Sequence, residues 1–417
     1  MTISRLKRSY FSVELLTWFA VALPLPLMTL YMQDRGLSLL EVGWVGALFS
    51  LAVVVLELPT GGLADTWGRK RTALASQGFM LLASMAFLLA FGVLGFALGW
   101  ILLGVGRALA SGALNAWYVD ELLQLDPEID LQPHLAQAGT VSILGLSLGT
   151  LLGGLVPQVF SFLSETGVFT PLSSVIAVAF VLRLLALAGL AILIDEKRPA
   201  PDEQATGAAS LRGVLSEAFA LTRRSKVVPL VFMGSFAASL ALTSVETFWQ
   251  PHLASWLGVQ DNSYVFGGIM AITFFMGMIG NLSSIPINKR LGSRHGYLAA
   301  LATLLGALAI AALALAPSAW LAAAAFWGFY FTLGLVSSPV ETLLNDETAS
   351  SSRSSVLSLY SLVGYAGAFL GSVALGYVAE NYTISLAFLL TALVLGVSLI
   401  VYVSAERIRV KNVAEKA

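Results

Sequence analysis

The feature that constrains this chain most is a recurrence of apolar runs separated by joints too short to fold on their own. A run of about 20 apolar residues, wound as a helix, crosses the hydrocarbon core of a bilayer. Twelve windows of that kind occur, at residues 11–32, 41–62, 72–92, 96–119, 135–158, 173–194, 227–250, 264–286, 295–316, 319–344, 355–378 and 383–404. The shortest joints fall near Gly92–Gly95 and at Pro317–Ser318. Only 11% of the 417 residues are charged, against roughly 25% in a soluble domain. The mean hydropathy is +0.84. The expected fold class is therefore an all-α membrane protein with twelve transmembrane helices.

Arg5, Lys7 and Arg8 precede the first run, as they would in a secretory signal. That run lasts too long for a signal, contains Pro24 and Pro26, and has no small-residue cleavage site, so it reads as a first span. All but three of the 23 Lys and Arg residues fall on the side of the two termini. The exceptions are Arg35 on the opposite side and Arg107 and Arg183 within spans. Basic loops stay inside, so a multi-pass protein of the cell membrane with both termini cytoplasmic is expected. There is no cysteine, which excludes disulfides, thiolate metal sites and cysteine nucleophiles. The three histidines, His134, His252 and His295, are scattered, and no metal site is expected. A net charge of −1, with no basic cluster larger than a loop, gives no sign of nucleic acid.

One substantial polar interruption, residues 195–226, divides six spans (1–194) from six (227–417). Its first part, Asp195 to Gly207, is rich in Pro, Ala and charge, as a flexible linker is. From Leu211, the set Leu211, Val214, Leu215, Ala218 and Leu221 recurs at helical spacing. That pattern fits an amphipathic helix on the membrane face or an ordinary solvated linker helix equally well. The halves also repeat. Asp120-Glu121 ends span four as Asp346-Glu347 ends span ten, and Trp67-Gly68-Arg69-Lys70 aligns with Leu291-Gly292-Ser293-Arg294 at nearly the same offset. Repeats facing each other across a midplane site are a transporter architecture.

The joint between spans two and three packs a glycine turn, an acid and three bases into Gly61-Gly62-Leu63-Ala64-Asp65-Thr66-Trp67-Gly68-Arg69-Lys70-Arg71. Gly61 and Gly68 permit close backbone approach and turning. Asp65 is suited to a helix N-terminus, where the macrodipole favours an anion, and Arg69 to a carboxylate at the end of a neighbouring helix. Lys70 and Arg71 read simply as topology-setting bases. The loop resembles the signature G-x-L-A-D-R-x-G-R-K/R of the major facilitator superfamily, with Thr66 in place of a basic residue. Twelve spans in two halves with a central linker are similar to that family over the whole chain. The resemblance implies two pseudo-symmetric six-helix bundles. It also implies a cytoplasmic gate in which Asp65 meets the N-terminus of span eleven and Arg69 pairs with Asp120.

Span five carries Gly145, Gly149, Gly153 and Gly154. This is similar to the antiporter signature G-x-x-x-G-P-x-x-G-G of drug exporters in that superfamily, with Thr150 where proline is expected. Small residues at this spacing also serve close helix packing. Arg107 stands in mid-span, where insertion scales put the cost of an arginine at about 2.5–3.5 kcal/mol. It resembles the superfamily's span-four arginine, although the following glycine, Gly112, comes one residue late. It either orients a proton-carrying acid, contacts substrate, or forms a buried ion pair. Burial raises a carboxyl pKa and a nearby arginine lowers it, so acids within spans are the proton-coupling candidates: Glu57, Glu246 and Glu341. None of these stands out, Glu57 fits the gate equally well, and Glu14 near the end of span one is placed to snorkel. Candidates for a largely apolar substrate cavity are Trp18, Asn115, Tyr118, Arg183, Thr243, Phe248, Trp249 and Tyr330.

No nucleophile, base or metal cluster supports an enzyme, and no G-x-x-x-x-G-K-S/T loop supplies an ATP site. The expectation is a secondary active transporter without cofactor, driven by the proton gradient. It would export small amphipathic or cationic compounds by alternating access, as a monomer among membrane lipids. The alternative is a proton-coupled carrier for one metabolite, lipid or siderophore.

Overall fold

A computed structural model describes residues 2–60, 63–110, 112–196, 225–258, 262–348 and 353–416. The amphipathic helix expected from Leu211 lies outside these residues, as do Gly61 and the side chain of Asp65. The described residues form helices and no strand. In chain order they are α1 (Ile3–Ala22), α2 (Met28–Asp34), α3 (Leu39–Thr60), α4 (Leu63–Trp67), α5 (Arg69–Leu89), α6 (Val93–Ala110), α7 (Ala113–Leu125) and α8 (Leu131–Val159). There follow α9 (Pro171–Leu193), α10 (Val228–Leu257), α11 (Ser263–Arg290), α12 (His295–Ala314), α13 (Ala319–Asp346), α14 (Arg353–Asn381) and α15 (Ile384–Lys416).

The helices start where the sequence supplies a cap. Asp130 accepts from the Gln132 amide at 2.9 Å ahead of α8. Thr170 and Ser173 form a reciprocal capping box ahead of α9, with Pro171 at the first helical position. Among the described residues eleven helices are long and apolar enough to cross a membrane. The first expected span is split instead. Pro24 and Pro26 offer no N–H to continue α1, so the chain turns through Leu23–Leu27 and resumes as the seven-residue α2. Turn bonds from the Leu25 amide to Ala22 O (3.0 Å) and from the Leu27 amide to Pro24 O (3.1 Å) satisfy part of the backbone there.

The chain divides into two compact units, and each takes one half of a long helix from the other sequence half. One unit comprises Met1–Gly36, Leu51–Ala209 and Val259–Ala271. The other comprises Leu37–Ser50, Ser210–Gly258 and Ile272–Ala417. Helix α3 is thus divided after Ser50 and α11 after Ala271. Glycine explains both. In the first unit a Cβ on Gly154 would fall 2.8 Å from Gly267 Cα of α11, and the Ser263 hydroxyl donates to Gly154 O at 2.8 Å. In the second unit a Cβ on Gly43 of α3 would collide with the Ser372 carbonyl of α14. Backbones at such distances meet only where a side chain is missing.

The other glycines of span five serve the same end. Gly145 and Gly149 lie against α1, where added Cβ atoms would meet Leu15 O at 2.9 Å and Phe19 O at 2.5 Å, and Gly153 abuts the Leu23 carbonyl. Thr150 is fully buried, and its hydroxyl donates back to Leu146 O at 3.0 Å. Close packing is the role these residues fill in the structure.

Arg35 is 8% exposed at the end of α2. Its Nη1 donates to Gly167 O and its Nη2 to Val168 O, each at 2.7 Å. The guanidinium also lies over the rings of Phe91 (4.5 Å) and Tyr31 (5.2 Å). It fastens the broken first span to the loop after α8. Arg35→Ala is expected to cost about 2–4 kcal/mol, from two charge-assisted bonds and the ring contacts. Thermal melting in detergent, followed by tryptophan fluorescence, will register this as a fall of several degrees. Lysine, lacking the planar fork, will restore less than half of it.

Candidate functional site

The polar knot between spans two and three folds as the short helix α4, then Gly68 at φ +104°, then the N-terminus of α5. Gly68 carries no capping side chain, and the exposed amides of α5 find their acceptor in Glu196, just past the end of α9. Glu196 Oε1 accepts from the Arg69 amide at 2.7 Å and Oε2 from the Lys70 amide at 2.9 Å. A Cβ on Gly68 would sit 3.1 Å from Glu196 Oε2, so glycine is needed for space as well as for its positive φ. With its backbone fixed, Arg69 reaches Asp120 of α7, Nε to Oδ2 at 2.9 Å. Lys70 does more than set topology, because its Nζ donates to Ala191 O in the last turn of α9 at 2.8 Å. Helices α5, α7 and α9 are thereby joined at one end of the first unit.

The second unit repeats the arrangement with one exchange. The Gly296 amide at the start of α12 donates to Glu406 Oε2 of α15 at 2.8 Å, as α5 donates to Glu196. Asp346, the counterpart of Asp120, pairs with Arg409 of α15 at 2.7 Å. Arg294, which aligns with the gate bases, instead lies over the Tyr297 ring at 5.7 Å. The acid on the helix N-terminus is retained, whereas the arginine has moved from the third helix of the repeat to its sixth. Sequence reading missed both capping acids, although each follows the last span of its half.

Within the spans the expected residues separate. Arg107 is exposed near the end of α6 and forms no hydrogen bond or ion pair among the described residues. Beyond it the span breaks at Gly112, whose φ is +80°, and Asn115 is exposed on the next turn. Arg183 is 5% exposed, and its Nε and Nη1 have no hydrogen-bond partner among the described residues. Glu57 is half-buried near the end of α3. Glu14 is held by Trp18 Nε1 and Ser142 Oγ, both donating to Oε1 at 2.7 Å, and so does not merely snorkel. Tyr118 is buried and stacks on Tyr10 at 4.1 Å, in the core and not on an accessible wall.

In the second unit the Tyr330 hydroxyl of α13 donates to Glu246 Oε1 of α10 at 2.7 Å. The Glu246 side chain is exposed on the surface of its helix, and Thr243, one turn earlier, is half-buried. Phe248 and Trp249 are buried instead of lining it, with Trp249 stacked on Phe326 at 4.8 Å. Phe326 and Phe329 meet the Tyr330 ring edge-on at 5.1 and 5.8 Å, and so fix the phenol that reaches Glu246. Glu341, on α13 like Tyr330, is exposed and has no hydrogen bond or ion pair among the described residues.

The family description Major Facilitator Superfamily matches residues 10–372. The chain belongs to that superfamily. It is similar to YxaM, an MFS-type transporter of Bacillus subtilis (strain 168), at 23% identity over 405 residues and 96% of each chain. It is also similar to the multidrug resistance protein MdtG of Enterobacter lignolyticus (strain SCF1), at 26% identity over 396 residues. That match covers 91% of this chain and 87% of MdtG. Among solved structures, the nucleoside transporter NupG aligns with a TM-score of 0.78 at 16% identity, over 96% of this chain and 98% of NupG. A bacterial homologue of the human lysosomal transporter Spinster aligns with a TM-score of 0.73 at 15% identity, over 98% of both. Like its superfamily, this multi-pass membrane protein is a secondary active transporter of small molecules and not an enzyme.

The contacts of the loop between spans two and three differ in strength. Arg69 and Asp120 are 25% and 46% exposed, so Asp120→Ala should change stability by no more than about 1 kcal/mol. Glu196→Ala removes a helix cap and should cost about 0.5–2 kcal/mol. Thermal melts of the two variants side by side will give that order. Equal losses would mean that Glu196 acts only through Arg69.

Proposed function

We propose that this transporter exports amphipathic or cationic compounds in exchange for protons, with Glu246 as the carboxylate that carries the proton in one state and faces the cation in the other. The observation that carries this reading is the Tyr330–Glu246 hydrogen bond, an accessible carboxylate held in the middle of span seven. Insertion scales put an acid at such depth at about 2.5–3.5 kcal/mol, a cost retained where it serves function. A phenol suits a proton-exchanging acid because it both donates and accepts. When Glu246 is ionised, Tyr330 donates to it, and when Glu246 is protonated its own O–H can turn toward the phenol oxygen. Neither state strands a buried polar group, which would cost roughly 1–3 kcal/mol. Arg107, whose guanidinium has no partner among the described residues, supplies a second charge along the spans. The likeness to a multidrug resistance protein supports the substrate class, and the basic loops on the side of the termini support cytoplasmic ends.

Proton release from detergent-purified protein tests the reading, on adding hydrophobic cations, nucleosides, sugars and amino acids in turn. Release on adding cations, lost in Glu246→Gln and reduced in Tyr330→Phe, is expected. Release that persists undiminished in Glu246→Gln moves coupling to another acid. A response to one polar solute and to no cation replaces export of cations with a dedicated metabolite carrier.

A further inference from the structure

The first half of α3 lies with the second unit, and the row of contacts that keeps it there ends at one charged side chain. Two carboxylates serve its N-terminus. Glu41 belongs to α3 itself and accepts from the Ser38 amide at 2.9 Å, while its own amide donates to Ser38 Oγ at 3.2 Å. Glu380, in the last turn of α14, accepts from the Leu39 amide at 2.8 Å through Oε2. One turn further along, Gly43 rests on the Ser372 carbonyl, and a Cβ on Gly376 would stand 3.3 Å from Leu39 O. Two turns beyond that, the Phe49 ring meets Tyr365 edge-on at 6.3 Å. The crossing runs along ten residues, about 15 Å of helix. Most of it is backbone against backbone through small residues, dispersion contact that is weak per atom and lost together once the helices part.

We propose that Glu380 is the latch of this crossing, at the membrane face opposite the chain termini, and that its carboxylate leaves the α3 N-terminus whenever the transporter opens toward that face. Three points support it. The bond joins a charged acceptor to a backbone donor at the very end of the crossing, where separation must begin. Glu380 is exposed, so release moves its charge into water and buries nothing. The α3 terminus keeps its own capping box from Ser38 and Glu41 after release, so the helix survives without Glu380 and the bond is free to cycle. The inference rests on alternating access, which the superfamily implies, and is independent of the role given to Glu246.

The absence of cysteine makes the test direct. Ala47 is fully buried on the turn of α3 after Gly43, and Ala47→Cys in otherwise unchanged protein places a single thiol in the crossing. The rate of maleimide labelling in lipid nanodiscs then measures how often the crossing opens. Glu380→Ala should raise that rate about five- to tenfold, the population shift that loss of a helix cap produces. Glu380→Asp should hold it nearer the parent. A control thiol, Ala322→Cys, at a fully buried position of α13, should label no faster in the Glu380→Ala background. An unchanged rate at Ala47→Cys overturns the proposal. So does an increase shared by the control thiol, which would show general loosening of the fold.

Discussion

A helix in hydrocarbon must settle its own backbone hydrogen bonds, and the four amides at its N-terminus have no partner within it. Much of this structure follows from that constraint. Where α5 begins, the missing acceptor is the carboxylate of Glu196, just past the last helix of the same half, and where α12 begins it is that of Glu406 in the last helix. Where α3 begins, it is Glu380 of α14 together with Glu41 of α3 itself. A helix start is thereby turned into a joint between helices. Because the acceptor is charged and the donor is a dipole end, such a joint holds by electrostatics without occupying the apolar interior.

Glycine sets the other half of the construction. In lipid there is no hydrophobic drive between helices, so close approach must be gained by removing side chains. Gly145, Gly149 and Gly153 bring α8 onto α1, and Gly154 meets Gly267 of α11. Contacts of this kind are geometrically specific yet contain no buried charge. They make and break without stranding a polar group, as an element that changes partners must. Charged contacts are placed instead at helix ends, where the Arg69–Asp120 pair keeps substantial exposure while Glu406 is buried. A transporter needs both of its states within a few kcal/mol, and exposed ion pairs worth about 1 kcal/mol each are compatible with that.

The spans, their helical class and the superfamily were legible because bilayer thickness fixes the length of each apolar run and the gate loop keeps its spacing. The pairing of Arg69 with Asp120 followed from the resemblance. Glu196 and Glu406 were not legible, since an acid after a span reads as one more polar residue in a linker or tail, and only the fold brings it to the start of another helix. Tyr118, Phe248 and Trp249 misled for a related reason. An aromatic in a span has the same signature whether it faces a path or a core, and helix rotation decides which. Helix rotation also brings Tyr330 onto Glu246 across two helices whose sequences carry no mark of the contact.

Glu14 and Glu246 are both hydrogen-bonded, and they differ in their donors. Glu14 receives an indole N–H and a hydroxyl on the same oxygen. Indole can only donate, so Glu14 serves Trp18 as an acceptor alone. The contact orients Trp18 and, through Ser142, ties α1 to α8. Glu246 faces a phenol, whose oxygen accepts as readily as its proton is given. One donor has a fixed role, and the other can exchange roles with its acceptor. That asymmetry, set by a Trp in one place and a Tyr in the other, is the chemical support for proposing exchange at span seven and not at span one.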